Sequence, residues 1–174
     1  MNRNYPFFPY LFLLVVAIVA CSSNRKQPAA DAGATEEEAA VTVPAFNADS
    51  AYRYVKEQVD FGPRVPNTAA HRACGDYLIG KLRQFGATVH VQEADLVAYD
   101  NPILKARNII GSFNPDNRRR VLLCAHWDSR PYADSERSKK KQKQPILGAN
   151  DGASGVGVLL EMARQMQQQA PAIG

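Results

Sequence analysis

Two short polar segments carry the residue types that metal chemistry uses. Residues 126–129 read His-Trp-Asp-Ser, and residues 148–155 read Gly-Ala-Asn-Asp-Gly-Ala-Ser-Gly. Imidazole and carboxylate are the usual protein ligands of zinc, and glycines beside Asp151 let the backbone approach a bound ion closely. The first segment follows an apolar run and the second precedes an apolar helix. Both are therefore expected at the sheet edge where α/β proteins bind ligands.

Each of these polar residues also has an ordinary structural explanation. Asp151 is well placed to cap the helix that follows it. His126 is equally explained as a hydrogen-bonded histidine at a strand end, and Asp128 as the ion-pair partner of Arg130. Taken together, on adjacent chain reversals at one sheet edge, they favour a metal site. The other two histidines lack such neighbours and are assigned no role.

Hydrophobic periodicity predicts the elements that must position these residues. One helix begins at Asn47–Ser50 and ends before Gly62–Pro63. A second follows Asn67–Thr68, with Gly86 just beyond its end. The remaining elements are strands at 88–97, 104–113 and 120–125 and a helix at 153–169.

The order of these elements predicts an α/β fold with a mixed, mostly parallel central sheet flanked by helices. The turn residues 114–117, Asn-Pro-Asp-Asn, predict that the last two strands pair as a hairpin. The helix at 153–169 is apolar nearly all round in its first half, which predicts burial against the sheet. A strand is expected to follow it beside residues 121–125, so the sequence reads as truncated.

The N-terminus has the pattern of an export signal. Residues 1–20 end in an apolar run too short to span a bilayer, which takes about 20 apolar residues, and Ile18–Cys21 resembles a bacterial lipobox. Cys21 is therefore the predicted lipid attachment site, which places the protein on a membrane of the cell envelope. An ordinary signal peptide or a short anchor helix is the alternative. Residues 21–45 read as a flexible tether, and residues 46–174 as the catalytic-type domain.

The distribution of charge argues against a nucleic-acid-binding protein, and the cysteines are expected in the core. The net charge of +4 is concentrated in the basic runs at 118–120 and 139–141, which lack interleaved aromatic residues. They are interpreted as solvated loops, and nucleic acid is not an expected partner. Cys74 and Cys124 are predicted to be small core residues, and the sequence leaves open a disulfide between them.

The ordered motifs resemble those of the zinc exopeptidase superfamily, which contains bacterial aminopeptidases and animal-type glutaminyl cyclases. Residues 126–129 match its His-x-Asp-Ser pattern, and residues 148–151 match its Gly-Ala-Asn-Asp. Residues 60–66, 108–111 and 125–134 narrow the resemblance to the bacterial lipoprotein glutaminyl cyclases. The resemblance covers about residues 46–174 and implies a zinc exopeptidase-like fold.

The resemblance also implies roles for particular residues. Asp151 corresponds to the metal-ligand aspartate, and His126 to a metal ligand in aminopeptidases that lines the site in cyclases. Asp128 corresponds to the carboxylate that orients the histidine. A strained cis peptide is implied between Asp151 and Gly152. The family's glutamate pair, a later aspartate and a final histidine are expected beyond residue 174, which predicts that this chain alone is inactive.

The activity implied by the resemblance is glutaminyl-peptide cyclotransfer, in which peptides with N-terminal glutamine form pyroglutamate and release ammonia. A single zinc is expected for this reaction. A zinc aminopeptidase with two zinc ions is the first alternative, and it needs His126 as a true metal ligand. A non-catalytic envelope lipoprotein is the second alternative.

Overall fold

The computed structural model describes residues 42–174. The predicted signal peptide, Cys21 and most of the predicted tether lie outside these residues. The elements are α1 (Ala48–Val59), α2 (Ala69–Gln84), β1 (Thr88–Val97), β2 (Ile103–Ser112), α3 (Lys139–Gln142) and α4 (Ser154–Gln168). A kinked π-type turn, Ala149–Ala153, leads into α4.

Local capping chemistry fixes the first two helices where the sequence predicts them. The side chain of Asn47 accepts from the amide of Ser50 at the start of α1, and Thr68 caps α2 through the amide of His71. Beyond α2, Gly86 has a φ of 84°. The amide of Ala87 donates to the Leu82 carbonyl at 3.0 Å, and that of Gly86 to the Arg83 carbonyl at 3.0 Å. This is the Schellman pattern that ends helices.

The strands β1 and β2 form an antiparallel pair. Their register runs from Thr88 opposite Ser112 to Val97 opposite Ile103. The helix α2 packs on both strands, while α4 packs mainly along α1. The prediction that α4 would be buried against the sheet is therefore wrong for this part of the chain. One side of α4 instead lines an open apolar groove of about 730 Å³ with β2 and residues 120–125.

The hydrophobic core lies where α1, α2 and α4 meet. Tyr54 and Phe85 make an edge-on ring contact there, with centroids 6.0 Å apart. The other fully enclosed apolar members come from α2 and α4: Cys74, Leu78, Val156, Leu160 and Ala163. Cys74 is thus buried in the core as predicted.

The segment 120–125 is not a strand in this structure, and the predicted hairpin with β2 does not form. The turn at residues 114–117 is present, because the amide of Asn117 donates to the Asn114 carbonyl at 3.1 Å. The segment beyond it is exposed, with Leu122 85% accessible. A β-strand needs a neighbouring strand to pair its backbone N–H and C=O groups, and an apolar sequence does not provide that neighbour.

Two hydrogen bonds join this segment to the last residue of the chain. The amide of Val121 donates to the Gly174 carbonyl at 2.8 Å, and the amide of Gly174 donates to the Arg119 carbonyl at 2.9 Å. This pattern is that of a parallel bridge between Arg120 and Gly174. One bridge does not make a sheet, so the predicted mostly parallel sheet is not observed among residues 42–174.

Both cysteines in the described residues are free. The prediction that Cys124 is a core residue is wrong, because its segment lies open to solvent and Cys124 is exposed. Within residues 42–174 no helix has the length and apolarity needed to cross a bilayer.

Candidate metal site

His126 and Asp151 meet at one point on the surface. Nε2 of His126 lies 3.1 Å from Oδ1 of Asp151, and the two side chains are 54% and 47% exposed. The two predicted polar segments therefore meet at a position that is accessible to solvent. Two ligands in a tetrahedral zinc site, each about 2.1 Å from the metal, lie about 3.4 Å apart. The observed separation fits two ligands of one zinc ion.

Asp128 lies on the other side of the same imidazole. Its Oδ1 is 3.3 Å from Nδ1 of His126, where a carboxylate can accept the Nδ1 proton and leave the Nε2 lone pair for a metal. The ring is thus flanked by one carboxylate at each nitrogen. The alternative pairing of Asp128 with Arg130 is not formed. Arg130 contacts Asp134, and its Nε lies 3.3 Å from Oδ2 of Asp151.

Asp151 does not serve as a helix cap. The residue at the N-cap position of α4 is Ala153, and no side chain caps this helix or the preceding turn. The carboxylate of Asp151 faces His126 and Arg130 instead. The simplest structural explanation of Asp151 is therefore excluded, and its side chain is available to a cation.

The turn before α4 brings the aspartate to the histidine. Asp151 has φ −93° and ψ 85°, and Gly152 has φ 115° and ψ −44°, so helical geometry is interrupted at both residues. A Cβ atom at Gly152 would lie 2.8 Å from the carbonyl oxygen and 2.9 Å from ring atoms of His126. Only glycine allows this approach. The implied cis peptide is wrong, since residues 42–174 contain none.

Sequence reasoning missed two buried residues that support the site. Arg64 is fully buried, and its guanidinium bonds to the backbone of both polar segments. His71 is also buried, and its ring stacks on Trp127 with centroids 4.1 Å apart and an interplanar angle of 19°. Burial lowers the pKa of His71, which favours the neutral ring. The only sequence signal for Arg64 was its place in the motif at residues 60–66.

Trp127 is held from a second direction by β2. Its indole Nε1 donates to the Arg107 carbonyl at 3.2 Å. Stacking on His71 and this hydrogen bond together fix the indole between α2 and β2. Since Trp127 lies between His126 and Asp128, fixing it restricts the backbone that carries both.

The described residues supply only part of a metal centre. No group of three or more His, Cys, Asp or Glu side chains converges within residues 42–174. A zinc site uses three or four protein ligands, whereas His126 and Asp151 are two.

Comparison with protein families gives a match over the C-terminal part of the chain. Residues 108–173 match the model of peptidase family M28. This part of the chain is therefore similar to part of a family M28 peptidase domain. His126, Asp128 and Asp151 all fall inside the matched residues.

Solved structures extend the match beyond those residues. A glutaminyl cyclase of Bacteroides thetaiotaomicron, bound to N-acetylhistamine, is 64% identical with a TM-score of 0.75 over 76% of this chain and 45% of its own. A leucine aminopeptidase precursor from the same species is 64% identical with a TM-score of 0.76 over 76% and 46%. A Zn-dependent exopeptidase of Parabacteroides distasonis is 65% identical with a TM-score of 0.75 over 76% and 45%.

These comparisons confirm the zinc exopeptidase-like fold and the resemblance to bacterial glutaminyl cyclases. They also support an enzyme of this superfamily. The chain spans less than half the length of each of these three relatives.

Proposed function

We propose that this chain supplies part of the active site of a zinc-dependent glutaminyl-peptide cyclotransferase. The enzyme would convert the N-terminal glutamine of a peptide to pyroglutamate and release ammonia. The observation that carries the proposal is the 3.1 Å approach of His126 to Asp151, in a chain 64% identical to a bacterial glutaminyl cyclase.

Each residue of the site has a distinct part in this chemistry. Asp151 would bind the zinc, with His126 beside it as a second ligand or as a wall of the site, and Asp128 would orient the imidazole. When bound, zinc polarises the γ-carboxamide carbonyl of the substrate. The α-amine of the glutamine forms a bond to that carbon, the bond to the amide nitrogen breaks, and the proton lost by the amine leaves with ammonia. No water is consumed.

We also propose that the chain alone is inactive. No group of three or more His, Cys, Asp or Glu side chains converges among residues 42–174. Zinc held by two ligands is bound weakly, because a stable site uses three or four. The remaining groups would come from the portion of the longer relatives that this chain does not span.

A zinc aminopeptidase is the second candidate, because one equally similar relative is a leucine aminopeptidase precursor. That reaction adds water to a peptide bond and needs a second zinc with His126 as a true ligand. Overall identity does not separate the two candidates, since it is 64% in both comparisons. The reaction products and the number of bound zinc ions distinguish the two candidates.

The test uses the protein extended to the length of these relatives, with this chain assayed beside it. Peptides beginning with glutamine are incubated with each, and product masses and bound zinc are measured together. Loss of one ammonia with one zinc per extended chain is the expected result. Release of free N-terminal residues with two zincs would establish the aminopeptidase. If neither product is formed and no zinc is bound, the remaining interpretation is a non-catalytic binding lipoprotein.

A matched pair of substitutions localises the metal. Asp151→Asn should lower zinc affinity by at least about 100-fold, because the ligand loses its charge. Asp134→Asn removes the other carboxylate that Arg130 contacts and should leave zinc affinity within about twofold. Equal losses in both variants would show that Arg130 pairing, rather than metal ligation, explains Asp151.

Cys21 is proposed to carry a lipid that anchors the protein in the cell envelope. The supporting observation is the lipobox-like sequence Ile18–Cys21. Growth with labelled fatty acid should label the protein and not its Cys21→Ser variant. Equal labelling of both would contradict the proposal.

A further inference from the structure

Arg64 lies in the loop between α1 and α2, and its side chain is fully buried. Among residues 42–174, no carboxylate is hydrogen-bonded to it. The guanidinium instead donates to five backbone carbonyl oxygens, those of Trp127, Leu147, Gly148, Gly62 and Gln58, at 3.0, 2.7, 2.8, 3.2 and 3.5 Å. A buried cation satisfied only by carbonyls is costly to place, so its position calls for a specific reason.

The three shortest of these bonds join the two halves of the candidate site. Nε donates to Trp127, the residue between His126 and Asp128. Nη1 and Nη2 donate to the two residues that begin the turn leading to Asp151. One rigid planar group therefore holds the backbone on both sides of the contact between His126 and Asp151.

Further contacts show that the fit around Arg64 is tight. The amide of Ser129 donates to the Arg64 carbonyl at 3.2 Å, so the first segment is tied to Arg64 in both directions. A Cβ atom at Gly148 would lie 3.0 Å from Nη2 of Arg64 and 2.5 Å from the Asp151 carbonyl oxygen. The turn is thus pressed against the guanidinium, and a displacement of either would displace the other.

A lysine at position 64 could not make the same set of hydrogen bonds. Guanidinium presents five N–H donors in one fixed plane, while an ammonium group is a single point with three donors. An ammonium placed at Trp127 would leave the carbonyl of Leu147 without that donor and the carbonyl of Gly148 with the Ala153 amide alone. A carbonyl that loses its donor costs free energy unless water replaces it, so the two segments would separate or admit water.

We propose that Arg64 is a positioning residue that sets the separation of His126 and Asp151, and through it the metal affinity of the site. It touches neither metal nor substrate and acts through the backbone carbonyls of the two segments. The proposal rests on the metal site of the proposed function. Its structural part, that Arg64 holds both segments together, is open to a test without metal.

The test compares Arg64→Lys with Arg164→Lys. Arg164 is a matched control because it hydrogen-bonds the buried carboxylate of Glu161 at 2.7 Å and contacts neither polar segment. Zinc affinity is measured by competition with a chromophoric chelator in the protein extended to the length of its relatives, because the chain alone is expected to hold zinc weakly. Thermal unfolding and amide hydrogen exchange of residues 126–130 and 147–153 are measured on the same samples.

Arg64→Lys should lower zinc affinity about 10- to 100-fold, the usual effect of losing a group that orients metal ligands. It should speed amide exchange in both segments. Arg164→Lys should lower the unfolding temperature while leaving zinc affinity and exchange in both segments unchanged.

Unchanged zinc affinity and unchanged exchange in Arg64→Lys would overturn the proposal. So would an Arg64→Lys chain that fails to fold while Arg164→Lys folds, because Arg64 would then be a residue of global stability. If the parent chain binds no zinc, the proposed metal site fails, and hydrogen exchange still decides the role of Arg64. Faster exchange in both segments supports it, and exchange equal to that of the parent refutes it.

Discussion

Nε2 of His126 lies 3.1 Å from Oδ1 of Asp151, while Nδ1 of the same ring lies 3.3 Å from Oδ1 of Asp128. A neutral imidazole carries one N–H, so it can donate to only one of these carboxylates. The other nitrogen then faces a carboxylate oxygen with its lone pair. A metal ion bound by both of these atoms would make that contact favourable. The geometry of the ring is thus compatible with a metal ion held by His126 and Asp151.

Asp128→Asn tests whether the second carboxylate orients the imidazole. Removing its charge weakens the acceptor at Nδ1, so zinc affinity should fall about 10- to 100-fold with little loss of stability. Zinc competition and thermal unfolding measure the two effects. Asp95→Asn is the control, because Asp95 pairs with Lys105 on the exposed hairpin. Equal zinc affinities in both variants would show that Asp128 does not act on the site.

Gly152→Ala tests whether the turn must allow His126 to approach. The new Cβ would meet the carbonyl oxygen of His126 at 2.8 Å and its ring at 2.9 Å. Gly86→Ala is the control, since Gly86 also has positive φ, 84°, but has nothing within 4 Å of an added Cβ.

Gly86→Ala should cost about 1–2 kcal/mol of unfolding free energy from its backbone conformation alone. Gly152→Ala should cost more than this and should also weaken zinc binding, because the clash moves His126. Chemical denaturation and zinc competition measure the two quantities. If the two substitutions cost the same and zinc affinity is unchanged, the His126 contact has no role in forming the site.

The sequence predicts those features whose causes are local. The side chains of Asn47 and Thr68 cap helices within their own first turn, and Gly86 ends α2 through bonds to that helix. The two polar segments were also predictable, because each is a short motif beside a strong apolar pattern.

Features that depend on distant partners were not predictable. The strand expected at residues 120–125 needs neighbours on its edges, and here only Gly174 supplies one. Apart from its place in the motif at residues 60–66, Arg64 carries no local pattern, because its role arises from carbonyls more than sixty positions further along the chain. The parts of the site that come from one segment were therefore visible in the sequence, and the residue that joins the segments was not.

The two described cysteines should differ sharply in reactivity. Burial raises the pKa of the Cys74 thiol to about 11, which keeps it protonated and out of reach, whereas Cys124 is exposed. Titration of the native protein with a thiol-reactive chromophore should lose one fast-reacting group in Cys124→Ser and none in Cys74→Ser. Full reactivity of the Cys74 group should appear only on unfolding. If Cys74→Ser instead adds a fast-reacting thiol, and reduction of the parent also adds one, the two cysteines form a disulfide.

Glu161 should make stability depend on acid pH. Its side chain is fully buried in α4. The hydrogen bond from Arg164 is the largest cause that lowers its pKa from 4.5 to about 2; burial opposes this, and bonds from Gln165 and the Asn47 amide add to it. Because the folded pKa lies below the unfolded one, this stabilisation is fully present above pH 4.5 and is lost as pH falls toward 2.

Glu161→Gln isolates this contribution. The variant should be less stable than the parent at pH 7 by about 1–3 kcal/mol, since it leaves Arg164 without its charged partner. The difference should shrink between pH 4.5 and 2, where the parent carboxylate also becomes neutral. Glu93→Gln is the control, because Glu93 pairs with Arg107 at the surface and should change stability by less than about 1 kcal/mol at any pH. Urea unfolding at several pH values measures both. A Glu161→Gln difference that stays constant down to pH 2 would mean that Glu161 stabilises α1 against α4 by packing rather than by its charge.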